Sequence, residues 1–197
     1  MFRVIQIPVG GLDHNWSYLV ISSDGYAAII DPCGDSGKIR DALMNTGNIT
    51  PAAILLTHAH RDHMDALNDV LEFFHAPVMG YRNLNNHQHI DIGKDDYLEV
   101  IYAPGHSYDS VLYRAGDDSA LFTGDTLFVD CVGFGDSDTL FHTLRYIADN
   151  FPDHITVYPG HDYGDVPAAT LGELKKSNLF LRCTTIERFR RAHRMMN

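Results

Sequence analysis

The chain predicts an α/β domain of stacked layers with mixed sheets, on three observations. Residues 1–31 read as consecutive strands joined by short turns. Farther along, strand and helix patterns alternate. The strand ends at Asp31, Thr57, Pro104, Thr123 and Pro159 all run into short polar loops, which is where α/β architectures usually keep their chemistry.

Each element follows from local pattern. Residues 2–7 alternate apolar and polar, and short apolar runs cover 18–22 and 26–30 around the turn signal Ser23-Asp24-Gly25. Asp35-Ser36-Gly37 opens a helix over 38–45, with Ile39, Ala42 and Leu43 at helical spacing. Pro51 precedes a buried strand at 52–56. A helix over 66–74 follows, on the spacing of Leu67, Val70, Leu71 and Phe74, with Asp65 placed to cap it. A short strand at 77–80 leads into a polar excursion over 83–94. Strands are expected at 97–102, 111–114, 120–122 and 155–158, and helices at 140–150, 168–178 and 185–196. No repeat, low-complexity tract or linker interrupts the 197 residues, so one domain is expected over 1–197.

Composition narrows the function. The net charge is −11, from 26 acidic and 15 basic side chains. That balance argues against nucleic acid and against docking on anionic lipid. No apolar run approaches the length of a membrane span, and the N-terminus lacks the apolar core of a signal peptide, so a cytoplasmic protein is expected. Cys33, Cys131 and Cys183 are odd in number, widely spaced and without a CxxC, which reads as reduced thiols. Two excesses stand out: 12 histidines, and 22 Asp against 4 Glu. Asp is a poor helix former but a good turn, cap and metal-ligand residue.

The decisive segment is Thr57-His58-Ala59-His60-Arg61-Asp62-His63, an H-x-H-x-D-H pattern. In an extended segment alternate residues point the same way, so His58 and His60 can grip one cation. Asp62 and His63 follow at a turn and can serve a second one. Three further strand-end loops carry matching pieces: Pro104-Gly105-His106, Thr123-Gly124-Asp125-Thr126 and Pro159-Gly160-His161-Asp162-Tyr163. A glycine before each of these ligands permits a tight backbone turn. So many imidazoles and two carboxylates cannot crowd around one small cation. Their mixed nitrogen and oxygen donors suit zinc, iron or manganese.

On the motifs THAHRDH, PGH, TGDTLF and PGHDY, in that order, the chain resembles the metallo-β-lactamase-fold hydrolase superfamily. The likeness is strongest to its glyoxalase II-like (hydroxyacylglutathione hydrolase) and persulfide dioxygenase-like branch, over about residues 15–181. The resemblance implies a four-layer αββα sandwich with the site at one edge of its two mixed sheets. It implies His58, His60 and His106 on one divalent metal and Asp62, His63 and His161 on a second. Asp125 would bridge both ions, with Asp31 beside the site supporting the ligands. Zinc or iron is preferred over manganese. The expected reaction is attack of a metal-activated water, oriented by Asp62, on a small anionic thioester or ester.

Two departures bear on the substrate. Phe134 stands where relatives carry an arginine, in Gly133-Phe134-Gly135-Asp136, so an apolar ring replaces a cation. Only 36 residues follow His161, too few for the separate helical domain that completes glutathione recognition. Phe134 and Tyr163 are the candidate substrate contacts. Two other readings remain: a mononuclear iron persulfide dioxygenase on His58, His106 and Asp125, and a non-catalytic metal-binding protein of the same fold. His87-Gln88-His89 reads as an exposed loop, and His14 as either a pocket edge or a surface turn. Cys131 reads as a small buried hydrophobe. The basic end, with Arg182, Arg188, Arg190, Arg191 and Arg194, reads as a solvated helix face; a homodimer contact and an anchor for an anionic substrate are the alternatives.

Overall fold

The computed structural model describes residues 2–196. Two mixed sheets stack face to face. The first has the order β1 (Arg3–Gly10), β2 (Asn15–Ile21), β3 (Tyr26–Ile30), β4 (Thr50–Leu55), β5 (Val78–Met79). Its first three strands are antiparallel neighbours, and β3, β4 and β5 are parallel. The second sheet is made by β6 (His89–Asp91), β7 (Tyr97–Tyr102), β8 (Val111–Ala115), β9 (Ala120–Gly124), β10 (Thr156–Pro159) and β11 (Ala169–Thr170), hydrogen-bonded in that order. Only its β9–β10 pair is parallel.

The period-2 alternation of each strand divides its side chains between two cores. On β2, Tyr18 and Val20 face the layer between the sheets, while Leu19 and Ile21 face outward. On β3, Ala28 and Ile30 go inward, and Ala27 and Ile29 outward. The outward set packs under α1 (Ser36–Met44) and α2 (Leu67–Leu71) through Ile39, Val70 and Phe74. The second sheet repeats the scheme. Tyr113 and Phe122 point between the sheets, and Leu112 and Leu121 pack under α3 (Ser137–Asn150), α4 (Leu171–Ser177) and α5 (Ile186–Arg194). Three apolar layers between four layers of structure make the expected αββα sandwich.

Helix starts follow their caps. Asp35 accepts from Gly37 N, Asp136 from Thr139 N and Thr185 from Arg188 N. Thr170 and Glu173 form a reciprocal capping box on α4. Several expected bounds shift. The helix at 66–74 shortens to Leu67–Leu71. Asp65 does not cap it; its carboxylate accepts from Gly34 N at 2.8 Å, tying the two strand-end loops together. The polar excursion contains β6, whose side chains alternate exposed, buried, exposed around Ile90. Ala169 and Thr170, expected to be helical, instead pair with Val157 and Thr156.

One buried amide locks the chain that leaves the site. Asn178, 1% exposed, donates to the carbonyls of Phe128, Val129 and Cys131 and accepts from Phe180 N at 2.9 Å. Asn178→Ala removes the amide donor from the buried Phe128 and Val129 carbonyls, while Cys131 O keeps Phe128 N, and is expected to cost about 2 kcal/mol or more of folding stability. Urea unfolding of the variant beside wild type measures it, and a change below about 0.5 kcal/mol would remove this role.

Candidate metal centre

Every candidate ligand leaves the same edge of the sandwich. His58 and His60 follow β4, and Asp62 and His63 lie on a single 3-10 turn, Arg61–His63. His106 follows β7, Asp125 follows β9, and His161 follows β10. The glycines act in two different ways. Gly124, at φ +48°, takes the left-handed backbone, and a Cβ there would lie 2.5 Å from Thr57 Oγ1. Gly160 has no such requirement; it is small because a Cβ would meet Asp125 Oδ1 at 2.5 Å and His63 Cε1 at 2.7 Å. Close packing, not backbone freedom, demands glycine before His161.

The side chains converge as two adjoining groups. One ligand atom from each of His58, His60, His106 and Asp125 lies within 4.8 Å of the others, and the same holds for Asp62, His63 and His161. The Asp125 carboxylate sits between them. Oδ1 is 3.1 Å from His63 Nε2; Oδ2 is 3.3 Å from His161 Nε2, 3.6 Å from His106 Nε2 and 4.0 Å from His58 Nε2. Asp62 Oδ2 is 3.4 Å from His161 Nε2 and 3.6 Å from His63 Nε2.

The far side of each ring shows that the donors suit a cation. His106 Nδ1 donates to Phe134 O at 2.8 Å, His161 Nδ1 to Asp13 O at 2.7 Å, and His63 Nδ1 to Asp31 Oδ2 at 2.9 Å. Thr57 Oγ1 donates to Asp31 Oδ2 at 2.6 Å, which leaves it to accept from His58 Nδ1 at 3.1 Å. Four rings thus commit their Nδ1–H outward and turn an Nε2 lone pair inward, as metal-ligating imidazoles do. His58 Nε2 and Asp125 Oδ1 are buried with no hydrogen-bond partner among the described residues. Unpartnered buried donors and acceptors are costly, and a cation among them would satisfy both.

Electrostatics agrees. Burial, with the neighbouring His63, pushes His58 down to about 3, so this ring stays neutral. Burial also lowers His63, but the Asp125 and Asp31 carboxylates outweigh it and hold the ring well above its usual value. Burial raises Asp125, yet His63 and His161 keep it well below the usual carboxylate range. The buried Asp125 carboxylate therefore demands positive charge at the place where the lone pairs meet.

Asp31 anchors this arrangement without facing the cavity. It is 1% exposed and sits at φ +50°, a conformation Asp tolerates. Its carboxylate accepts from Thr57 N at 2.7 Å as well as from Thr57 Oγ1 and His63. Asn15 plays the matching part for Asp62, donating to its carbonyl and to Oδ2, both at 3.1 Å. Asn15 and the Asp13 carbonyl carried no sequence signal of their own, since their partners lie 47 and 148 residues away.

A cavity of about 360 Å³ opens above the ligands, walled by Phe128, Val132, Phe134 and Met196. Phe134 is 53% exposed at its mouth. Tyr163 also lines it, but its hydroxyl donates to Asp13 and its ring stacks on His161 at 5.0 Å, so it presents a ring face and not a free hydroxyl. Cys131 lines the cavity too, half-buried, with its thiol pushed up to about 11 by burial and by Asp130. His14 lies outside, at an exposed turn with φ +55°. His87 pairs with Glu99 at 2.8 Å and His89 stacks on Tyr97 at 4.1 Å, both away from the centre.

Comparison with known proteins points the same way. The family model described as the metallo-beta-lactamase superfamily matches residues 10–97 and 84–161. The chain is 29% identical over 194 residues to a probable polyketide biosynthesis zinc-dependent hydrolase of Bacillus velezensis, covering 89% of this chain and 85% of that one. It is 31% identical over 185 residues to a hydroxyacylglutathione hydrolase of Hamiltonella defensa, covering 88% of this chain and 69% of the relative. The structure of ETHE1 from Myxococcus xanthus superposes with a TM-score of 0.84 at 27% identity, covering 100% of this chain and 91% of that one.

Asp31→Asn keeps the size of the side chain but removes the carboxylate that fixes Thr57 and His63. The expected result is a 10–100-fold loss of metal affinity with the fold retained. Competition for zinc against a chromophoric chelator measures it; an affinity within twofold of wild type would show that Asp31 does not support the ligands.

Proposed function

The chain belongs to the metallo-beta-lactamase superfamily, and from its two adjoining ligand groups we propose that it is a metal-dependent hydrolase of a small thioester or related ester. In this reading His58, His60 and His106 hold one divalent ion and Asp62, His63 and His161 a second, with Asp125 shared. Zinc or iron is the preferred metal, on the imidazole and carboxylate donors. Such ions, when bound, supply Lewis acidity and bring the pKa of a coordinated water down to about 7.

The chain's own residues supply position. Asp31, Thr57, the Phe134 carbonyl and the Asp13 carbonyl keep each inward nitrogen a lone-pair donor. Asn15 holds the Asp62 carboxylate toward the centre, where its free lone pairs accept a proton from the attacking water and aim its oxygen at the acyl carbon. The acyl carbon gains the water oxygen, the C–S bond breaks, and the leaving sulfur takes the proton, with no change in oxidation state. Phe128, Val132 and Phe134 exclude water from the apolar side of the substrate. Among the described residues no lysine or arginine lines this cavity, so an anion there would meet the bound metal and not a side-chain cation.

The observation that carries the reading is the second group. Asp62, His63 and His161 converge with their supports in place, which supplies a donor set for a second ion beside the first. The zinc-loaded protein is expected to hydrolyse a simple acyl thioester. Chelation should abolish turnover, zinc should restore it, and Asp62→Asn, which removes both a ligand of the second ion and the base, should lower kcat by about 100-fold or more. A free-thiol assay reads all three. Oxygen uptake by iron-loaded protein given glutathione persulfide, with no thioester cleavage under any metal, would replace this reading with the dioxygenase one.

A further inference from the structure

The apolar wall of the metal cavity continues into a second, larger groove. Met196 lines both. The groove, about 570 Å³, runs along α5 over Phe180, Ala192 and Met195, and three arginines, Arg182, Arg188 and Arg191, edge it. Arg188, Arg191 and Met195 are three and four residues apart, so they share one face of the helix. The opposite face, through Phe189 and His193, is buried.

These arginines differ from their neighbours. Arg190 is spent on Asp138, bonding through Nε at 2.6 Å, and Arg145 on Asp149 at 2.6 Å. Arg182, Arg188 and Arg191 are exposed and pair with no acid among the described residues. Residues 182–194 hold five of the chain's 15 cationic residues and one acid, Glu187, in a protein of net charge −11. Three unpaired guanidiniums on one apolar groove suit a multiply charged anion, since each can grip phosphate through two N–H groups. A helix rises 1.5 Å per residue, so Arg191 and Arg188 lie about 6 and 10 Å beyond Met195 along the axis. An anion there sits at the far end of a long arm whose other end reaches the metal centre.

The groove is also coupled to the site wall. His193 of α5 donates from Nε2 to Gly133 O at 3.0 Å and accepts from Ser137 Oγ at 2.8 Å. The next residue, Phe134, supplies the carbonyl that orients His106. The helix that carries the arginines is thereby fixed against the loop that shapes the cavity mouth.

We propose that the substrate is a thioester of a long, phosphate-bearing thiol, whose arm passes over Met196 and whose phosphate is held by Arg182, Arg188 and Arg191. This rests on the hydrolase reading and names its substrate class: the reacting bond lies at the metals, and the charge that selects the carrier lies a helix length away. Glutathione, with no phosphate and a short reach, is a poor fit for such a groove.

The test pairs a binding probe with two substrates that share an acyl group. Desulfo-coenzyme A carries the phosphates and the arm but no thiol to bind zinc. Octanoyl-coenzyme A and S-octanoyl-N-acetylcysteamine present the same thioester with and without the phosphate-bearing arm. Wild type is expected to bind desulfo-coenzyme A by calorimetry and to prefer the coenzyme A ester by at least tenfold in kcat/KM. In R188Q/R191Q, checked for unchanged Tm, the probe should bind at least tenfold more weakly. The coenzyme A ester should lose at least tenfold in kcat/KM, chiefly through KM, and the N-acetylcysteamine ester should be hydrolysed as before. The same ester on the phosphopantetheine arm of a carrier protein separates a free cofactor from a protein-borne one as the source of the arm. Binding and turnover indifferent to both arginines would overturn the groove assignment. Arginine-dependent binding without turnover of either ester would instead refute the hydrolase reading and keep the phosphate site.

Discussion

The structure depends on one buried carboxylate. Asp125 lies within 4 Å of four imidazole Nε2 atoms, and its Oδ1 has no hydrogen-bond partner among the described residues. A charge so placed is tolerable only if positive charge meets it. Everything around it is arranged to that end. Gly124 lets its backbone approach Thr57, and Gly160 leaves room beside its Oδ1. The outward bonds of His58, His63, His106 and His161 turn lone pairs toward it. The Asp125 and Asp31 carboxylates hold His63 well above its usual value, and a bound cation would supply the same compensating charge.

The sandwich exists, in functional terms, to deliver those groups to one edge. β4, β7, β9 and β10 end together, and each is held by side chains buried in the layers. The Tyr113 hydroxyl donates to Leu56 O at 2.7 Å, directly before the H-x-H segment. The Tyr18 hydroxyl donates to Pro159 O, two residues before His161. A ligand on a loop is usually mobile; here each loop is short and its root is hydrogen-bonded from the core. Charge separates the remaining surface. An acidic protein gathers three exposed arginines, Arg182, Arg188 and Arg191, at one groove beside the cavity, and the cavity itself relies on metal for its cation.

Much of this was legible in the sequence, because the signals were local. The apolar runs at 18–22 and 26–30 became β2 and β3, and Asp35 and Thr185 stood at helix starts, whereas the cap at Asp136, four residues before the expected helix, was not read. The H-x-H-x-D-H spacing and the three Gly-ligand loops named all seven side chains that the fold brings together. What escaped was non-local. Asn15 and the Asp13 carbonyl support partners far along the chain, and His193 was one more helical histidine until α5 docked against Gly133. Asp65 looked like a cap because the sequence cannot reveal that Gly34 lies beside it. β6 and β11 are short and polar, and pairing with a neighbouring strand, not propensity, makes them strands.

Anomalous diffraction from zinc-loaded crystals tests the central claim most directly. The account predicts two ions about 3.5–4 Å apart, one among His58, His60 and His106, the other among Asp62, His63 and His161, with an Asp125 oxygen on each or one shared by both. A single fully occupied ion on His58, His106 and Asp125, with none among Asp62, His63 and His161, would contradict it.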